Sequence, residues 1–175
     1  MMKEIKLIRV DDRLIHAQII IFWLKKININ TIYIIDDDLA ENKFLCQIYR
    51  LTTPPHVRIK IFTVNQVAEY INKRTNIPPT ARILILIKSL KTFFFLHKIN
   101  FSIDTIQIGG NLLESGLNKK QIIDQLFNRF STEISYLLDH SIYIYCQNTT
   151  DGEKIIITKE QIKLLNQEQQ DFQAL

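Results

Sequence analysis

Residues 83–87 read Ile-Leu-Ile-Leu-Ile, five large aliphatic side chains in a row with no polar alternation. Successive side chains on a strand point to opposite faces, so such a strand must be covered on both. Burial on both faces marks the centre of a parallel sheet flanked by helices, and the rest of the chain agrees. Val- and Ile-rich runs alternate with helical periodicity, the pattern of βαβ units. Further strands are expected at residues 5–10, 31–35, 58–62, 105–108 and 142–146, with 58–62 alternating as a half-solvated edge does. Residues 16–27 place Ile19, Ile20, Trp23, Leu24 and Ile27 on one helical face, with Lys25 and Lys26 in the last turn. Asp36, Asp37 and Asp38 are placed to cap a helix over 39–51, which Pro54-Pro55 ends. Shorter helices are expected at 65–73, 93–97 and 159–167. The fold class this predicts is α/β: a single-domain, doubly wound, mostly parallel sheet with helices on both faces. The domain is expected to span 1–167, with a polar, fraying tail over 168–175.

Composition narrows the function. Of the 175 residues, 46% are hydrophobic and 23% charged, which is globular rather than disordered. No stretch has the length and unbroken apolarity of a spanning helix, and the N-terminus shows no signal-peptide pattern, so a cytoplasmic location is expected. The net charge of +4 is scattered rather than gathered into a stripe, which argues against nucleic acid as a partner. Cys46 and Cys146 have no metal-ligand spacing and read as buried, reduced thiols. Three adjacent carboxylates at 36–38, with no histidine or cysteine companion, read as a helix cap rather than a metal site. No metal and no cofactor are expected.

The stretch Ile5–Gln18, IKLIRVDDRLIHAQ, is where chemistry is expected. A strand runs through a charged turn into a helix, and α/β proteins bind ligands outside the carboxyl ends of their strands. Arg13 stands three residues before His16, so a planar guanidinium fork and an imidazole meet in one turn. Gly109-Gly110 follows the 105–108 strand and forms a second turn at the same sheet edge. His56, His97 and His140 lack such a context and read as surface or structural residues.

The segment LIRVDDRLIHAQ closely resembles the active-site segment of the enzyme IIB subunits of the mannose/fructose/sorbose family of sugar phosphotransferase systems (PTS), which carry a pattern like R-[VI]-D-[DN]-R-L-I-H-G-Q. IIDDDLAENKF, LTTPPHVRIKIFTV and IQIGGN are similar to further family segments, so the resemblance covers roughly the whole domain. It implies a protein-N(pi)-phosphohistidine–sugar phosphotransferase component. A IIA protein or domain would give its phosphoryl group to His16, at Nδ1, and His16 would pass it to a sugar carried by membrane IIC and IID subunits. Those subunits would hold the protein at the membrane. The resemblance assigns Arg13 to the phosphoryl oxygens and Asp11 to orienting Arg13 or the loop. Amides of Gly109 and Gly110 are candidate phosphoryl donors. Phosphoryl transfer asks mainly for in-line positioning and charge stabilisation, which this set can supply.

Two departures from the family pattern stand out. Ala17 replaces the glycine after the histidine: harmful to docking if that position needs positive φ or close backbone approach, harmless or better if it is the first helical turn. Asn111 replaces the usual methionine, and IKSLKT replaces an F-K-N-P-T-like stretch. For residues 121–130 propensity says helix and the family alignment says strand; the alignment is followed here. Ser131-Thr132 marks an N-cap inside the longer helical pattern that runs to 139. The rival readings are a diverged relative that docks partners without efficient transfer, and an unrelated α/β enzyme using His16 as general base. The sugar and the oligomeric state, including homodimer formation, are left open.

Overall fold

The computed structural model describes residues 3–73, 77–101, 104–113 and 116–173. Its strands are β1 (Ile5–Val10), β2 (Thr31–Ile35), β3 (Arg58–Phe62), β4 (Ile83–Ile87), β5 (Thr105–Ile108), β6 (Tyr143–Cys146) and β7 (Ile155–Ile157). They form one sheet in the order β3-β2-β4-β1-β5-β6-β7. Neighbours pair in parallel except β6 and β7. The 83–87 run is β4, wholly buried between β2 and β1. Its side chains divide as two-face burial demands: Ile83, Ile85 and Ile87 join one core cluster, Leu84 and Leu86 the other. β3 is the expected edge, alternately exposed along its length. β7 has no counterpart in the sequence reading, because three isoleucines after a turn are too short to show a period.

The helices are α1 (Leu24–Lys26), entered through a π-helical turn at Ile19–Trp23, α2 (Asp37–Glu41), α3 (Lys43–Thr52), α4 (Val64–Asn72), α5 (Leu90–Lys98), α6 (Lys119–Asp139) and α7 (Lys159–Gln173). Ile19, Trp23, Leu24 and Leu39 pack on one face of the sheet, while residues of α4, α5, α6 and α7 pack on the other. The doubly wound, mostly parallel α/β architecture therefore holds.

Three local expectations change. Residues 121–130 are helix, not strand, as part of α6. Buried Ile122, Ile123, Leu126, Phe127 and Phe130 follow helical spacing, and Asn118 with Gln121 forms a capping box. A break at Phe130 (φ −139°, ψ 35°) lies just before the Ser131-Thr132 cap signal. The single helix expected over 39–51 is two, because Asn42 leaves helical geometry and caps α3 by accepting from the Leu45 amide. The last helix continues past Gln167 to Gln173, while residues 174 and 175 of the expected tail lie outside the described residues.

Candidate functional site

The β1 strand carries Arg9, and its carboxyl end delivers Asp11 into a tight turn in which the Leu14 amide donates to the Asp11 carbonyl at 3.0 Å. Leu14 has φ of +54°, a left-handed conformation that costs a non-glycine residue about 1–2 kcal/mol. Complete burial of its side chain offsets that cost. The reversal brings His16 back over Asp11.

Asp11 is the hub. Its side chain has no solvent exposure, and both oxygens are used. Oδ1 accepts from the Arg13 amide at 3.2 Å and from Arg13 Nε at 3.1 Å. Oδ2 accepts from Arg9 Nε at 3.1 Å, Arg9 Nη2 at 2.9 Å and Arg13 Nη2 at 3.3 Å. His16 Nε2 lies 3.1 Å from the same oxygen. Burial by itself would push the Asp11 carboxyl up; hydrogen bonds from Arg13, the Arg9 charge and bonds from His16 and Arg9 outweigh it and hold the group below the usual carboxylate range. An ionised carboxylate can only accept, so Nε2 of His16 must carry the ring proton. That leaves the lone pair on Nδ1. The His16 side chain keeps 17% exposure and Arg13 33%, so both reach solvent while Asp11 does not. Two guanidiniums share the Asp11 carboxylate, and with Asp12 in the same turn the formal charges cancel, so the partly exposed Arg13 guanidinium is the group that can meet an anion.

The depressed Asp11 value carries a pH prediction. Its contribution to stability is complete above the unfolded value of about 3.9 and is lost as pH falls through the lower folded value. Urea unfolding at about pH 6 and about pH 2.5 should show a larger acid loss in the native chain than in Asp11→Asn. Equal losses would remove Asp11 from the acid response.

The second turn serves this one. The Gly109 amide donates to the Val10 carbonyl at 2.9 Å and so belongs to the β1–β5 ladder. A Cβ at Gly109 would overlap the Arg9 guanidinium. Gly110 has φ of +76°, and a Cβ there would lie 2.7 Å from Asp11 Cγ and 2.8 Å from Asp12 Oδ1. Asn111 ties the two turns together: its amide and its Nδ2 donate to Asp12 Oδ1 and Oδ2 at 3.0 and 3.2 Å.

Ala17 lies at the start of the helical stretch that leads into the π-helical turn, and the Ile20 amide donates to the His16 carbonyl. Ala17 is helical, so no positive φ is asked of it. Ala17→Gly is expected to lower stability by about 0.5–1 kcal/mol without improving the site, measurable by urea unfolding. A stability gain would contradict this.

Other candidates fall elsewhere. Asp36 caps α2 through the Leu39 amide and pairs with Lys88 at 3.0 Å. The Nδ1 atoms of His97 and His140 contact the Tyr136 hydroxyl and carbonyl, at 3.2 and 2.8 Å. Both cysteines are buried and free, and burial pushes the Cys146 thiol up to about 12. Among the described residues no group of three metal-ligating side chains occurs, and no helix is long and apolar enough to cross a membrane.

Sequence reasoning passed over Arg9, Gln107 and Gln147. Arg9 Nη1 donates to Gln107 Oε1 at 2.7 Å and to the Gln147 carbonyl at 2.9 Å. The available signal was an arginine and a glutamine inside otherwise apolar strands.

Comparison with known proteins gives consistent matches. The family model described as PTS system sorbose subfamily IIB component matches residues 5–127. The N-acetylgalactosamine-specific phosphotransferase enzyme IIB component 1 of Escherichia coli is 22% identical over 154 residues, 86% of this chain and 94% of that protein. The sorbose-specific EIIB component of Klebsiella pneumoniae is 28% identical over 120 residues, 68% of this chain and 70% of that protein. Among solved structures, the E. coli N-acetylgalactosamine-specific IIB component 1 superposes with a TM-score of 0.71 at 20% identity, covering 87% of this chain and 99% of that one. The IIBSor domain of the K. pneumoniae sorbose permease gives 0.69 at 20% identity, covering 92% and 97%.

Proposed function

Because the chain belongs to the sorbose-subfamily IIB components of the sugar phosphotransferase system, we propose that it carries a phosphoryl group on Nδ1 of His16, taken from a IIA phosphohistidine and passed to a sugar. The observation that carries this is the Asp11 carboxylate on His16 Nε2, which leaves Nδ1 as the nucleophilic nitrogen. The Nδ1 lone pair forms the bond to phosphorus as the donor's N–P bond breaks, and that electron pair returns to the donor imidazole. Positive charge then develops on the His16 ring, and the Asp11 carboxylate beside it stabilises that charge. In the onward step a sugar hydroxyl oxygen attacks phosphorus, the Nδ1–P bond breaks with its pair returning to Nδ1, and the hydroxyl proton leaves to water.

Arg13, partly exposed, is the group proposed to turn from Asp11 onto the phosphoryl oxygens. The role proposed for Gly109 and Gly110 is to admit Arg9 and Asp11 beneath the site, with the Gly110 amide as the remaining backbone donor. As partners we propose IIA, as a protein or fused domain, together with membrane IIC and IID subunits that anchor the complex. An E. coli relative matched here is a mannose-specific EIIAB component. The substrate class proposed is a hexose or amino sugar, since the relatives carry sorbose, fructose and N-acetylgalactosamine names.

The test is transfer of labelled phosphate from phosphorylated HPr through a cognate IIA. Acid-labile label is expected on the native chain and absent from His16→Ala. Label that persists in His16→Ala, or a folded native chain that takes none, overturns the reading. Arg13→Ala should slow labelling about 100-fold with an unchanged circular dichroism spectrum. An unchanged rate would exclude Arg13 from the transfer step.

A further inference from the structure

Arg9 is a charged side chain with no solvent exposure. Four of the five N–H donors of its fork are placed: Nε and Nη2 on Asp11 Oδ2, Nη1 on Gln107 Oε1 and the Gln147 carbonyl. The Trp23 ring lies 5.1 Å from its guanidinium carbon, and a Cβ at Gly109 would overlap the guanidinium. Gln107 is held in turn, donating to the Tyr145 hydroxyl and to Gln147 Oε1 at 3.3 and 3.2 Å. Three strand ends are thus arranged around one dry cation. A buried ion pair is a weak device for stability, since apolar packing of the same volume does as well or better. Its presence calls for another explanation.

The geometry points to Arg9 as a positioning residue that keeps Asp11 ionised and fixed in orientation, so that His16 holds its proton on Nε2 throughout the phosphoryl cycle. This rests on the reading of His16 as the acceptor and explains why one arginine on Asp11 is not enough. Arg13 is a third exposed and must leave Asp11 to meet phosphoryl oxygens. Once it leaves, burial is less opposed, and the carboxyl would tend to take a proton. Arg9 is without solvent exposure and is held by Asp11, Gln107 and the Gln147 carbonyl, with Trp23 and Gly109 against it. It is the charge that remains when Arg13 moves.

The test uses the full, unphosphorylated chain labelled with 15N. Arg13 stays on Asp11 in the resting chain, so the tautomer is read in an Arg13→Ala background, where long-range 1H–15N correlations of the His16 ring should show the Nε2-protonated form with Arg9 present and a mixture of both tautomers in Arg9→Met. Labelling by phospho-IIA should then acquire an acid limb in Arg9→Met, falling about tenfold per pH unit through a range where the native chain is flat. A folded Arg9→Met with the native tautomer and a native pH profile overturns the inference. Should Arg9→Met fail to fold, Gly109→Ala keeps the charge but displaces the guanidinium. The same mixture is expected there, and a native tautomer overturns the inference equally. A native chain that shows the Nε2-protonated ring yet accepts no phosphate would sink the acceptor reading and leave the role of Arg9 standing.

Discussion

Asp11→Asn is expected to lower the rate of phosphoryl acceptance about a thousandfold, measured as label transferred from phospho-IIA at saturating donor. The magnitude follows from what a neutral amide does beneath a catalytic imidazole: it permits the wrong tautomer and withdraws the charge that stabilises the cationic ring. The local geometry sharpens the expectation. An Asn NH2 at the Oδ2 position would face Arg9 Nε, Arg9 Nη2, Arg13 Nη2 and His16 Nε2, all donors. Turned the other way, it would face the Arg13 amide and Nε. Either rotamer opposes donor to donor, and Arg9 is left as a buried charge without its counter-ion. Breaking such a pair typically costs about 3–5 kcal/mol, so the variant should also unfold at markedly lower urea. Near-native labelling by Asp11→Asn would show that the carboxylate does not set the reactive nitrogen.

The second large effect concerns Gly110. Gly110→Ala is expected to lose about 3 kcal/mol of stability and most phosphoryl acceptance, because two costs coincide. Its φ of +76° is left-handed, and an added Cβ would press on the Asp11 carboxylate and on Asp12. Gly116 separates the two costs: its φ is +85°, but among the described residues beyond its chain neighbours nothing lies within 4 Å of an added Cβ. Gly116→Ala should therefore show only the backbone term, about 1–2 kcal/mol, and unchanged labelling. Equal losses at the two positions in urea unfolding would mean that Gly110 matters for its backbone alone and not for the space it leaves Asp11.

What a sequence like this makes legible depends on how local each signal is. The 83–87 strand was legible because two-face burial leaves no polar residue in it, and the β3 edge because one face still meets water. Asp36 was legible as a cap because capping acts within three residues. Residues 121–130 show the opposite hazard: their helical spacing was plain, and a distant alignment overrode it wrongly. β7 is too short to carry a period, and its place beside β6 depends on a turn that brings it there. At the site, Asp11 was expected to orient Arg13 or the loop, and it does contact Arg13. Its bond to His16 was not foreseen, since it depends on the left-handed turn at Leu14.

The strand runs, the sheet class and the histidine turn follow from patterns spanning a few residues, where side-chain periodicity and backbone preference act directly. The environment of Arg9 is of another kind. Its partners Gln107 and Gln147 lie 98 and 138 positions away along the chain, and they meet it only when β1, β5 and β6 lie side by side. No local preference signals a charge that is acceptable only when fully surrounded. The desolvation cost of that guanidinium and the contacts that offset it both arise on closing the sheet.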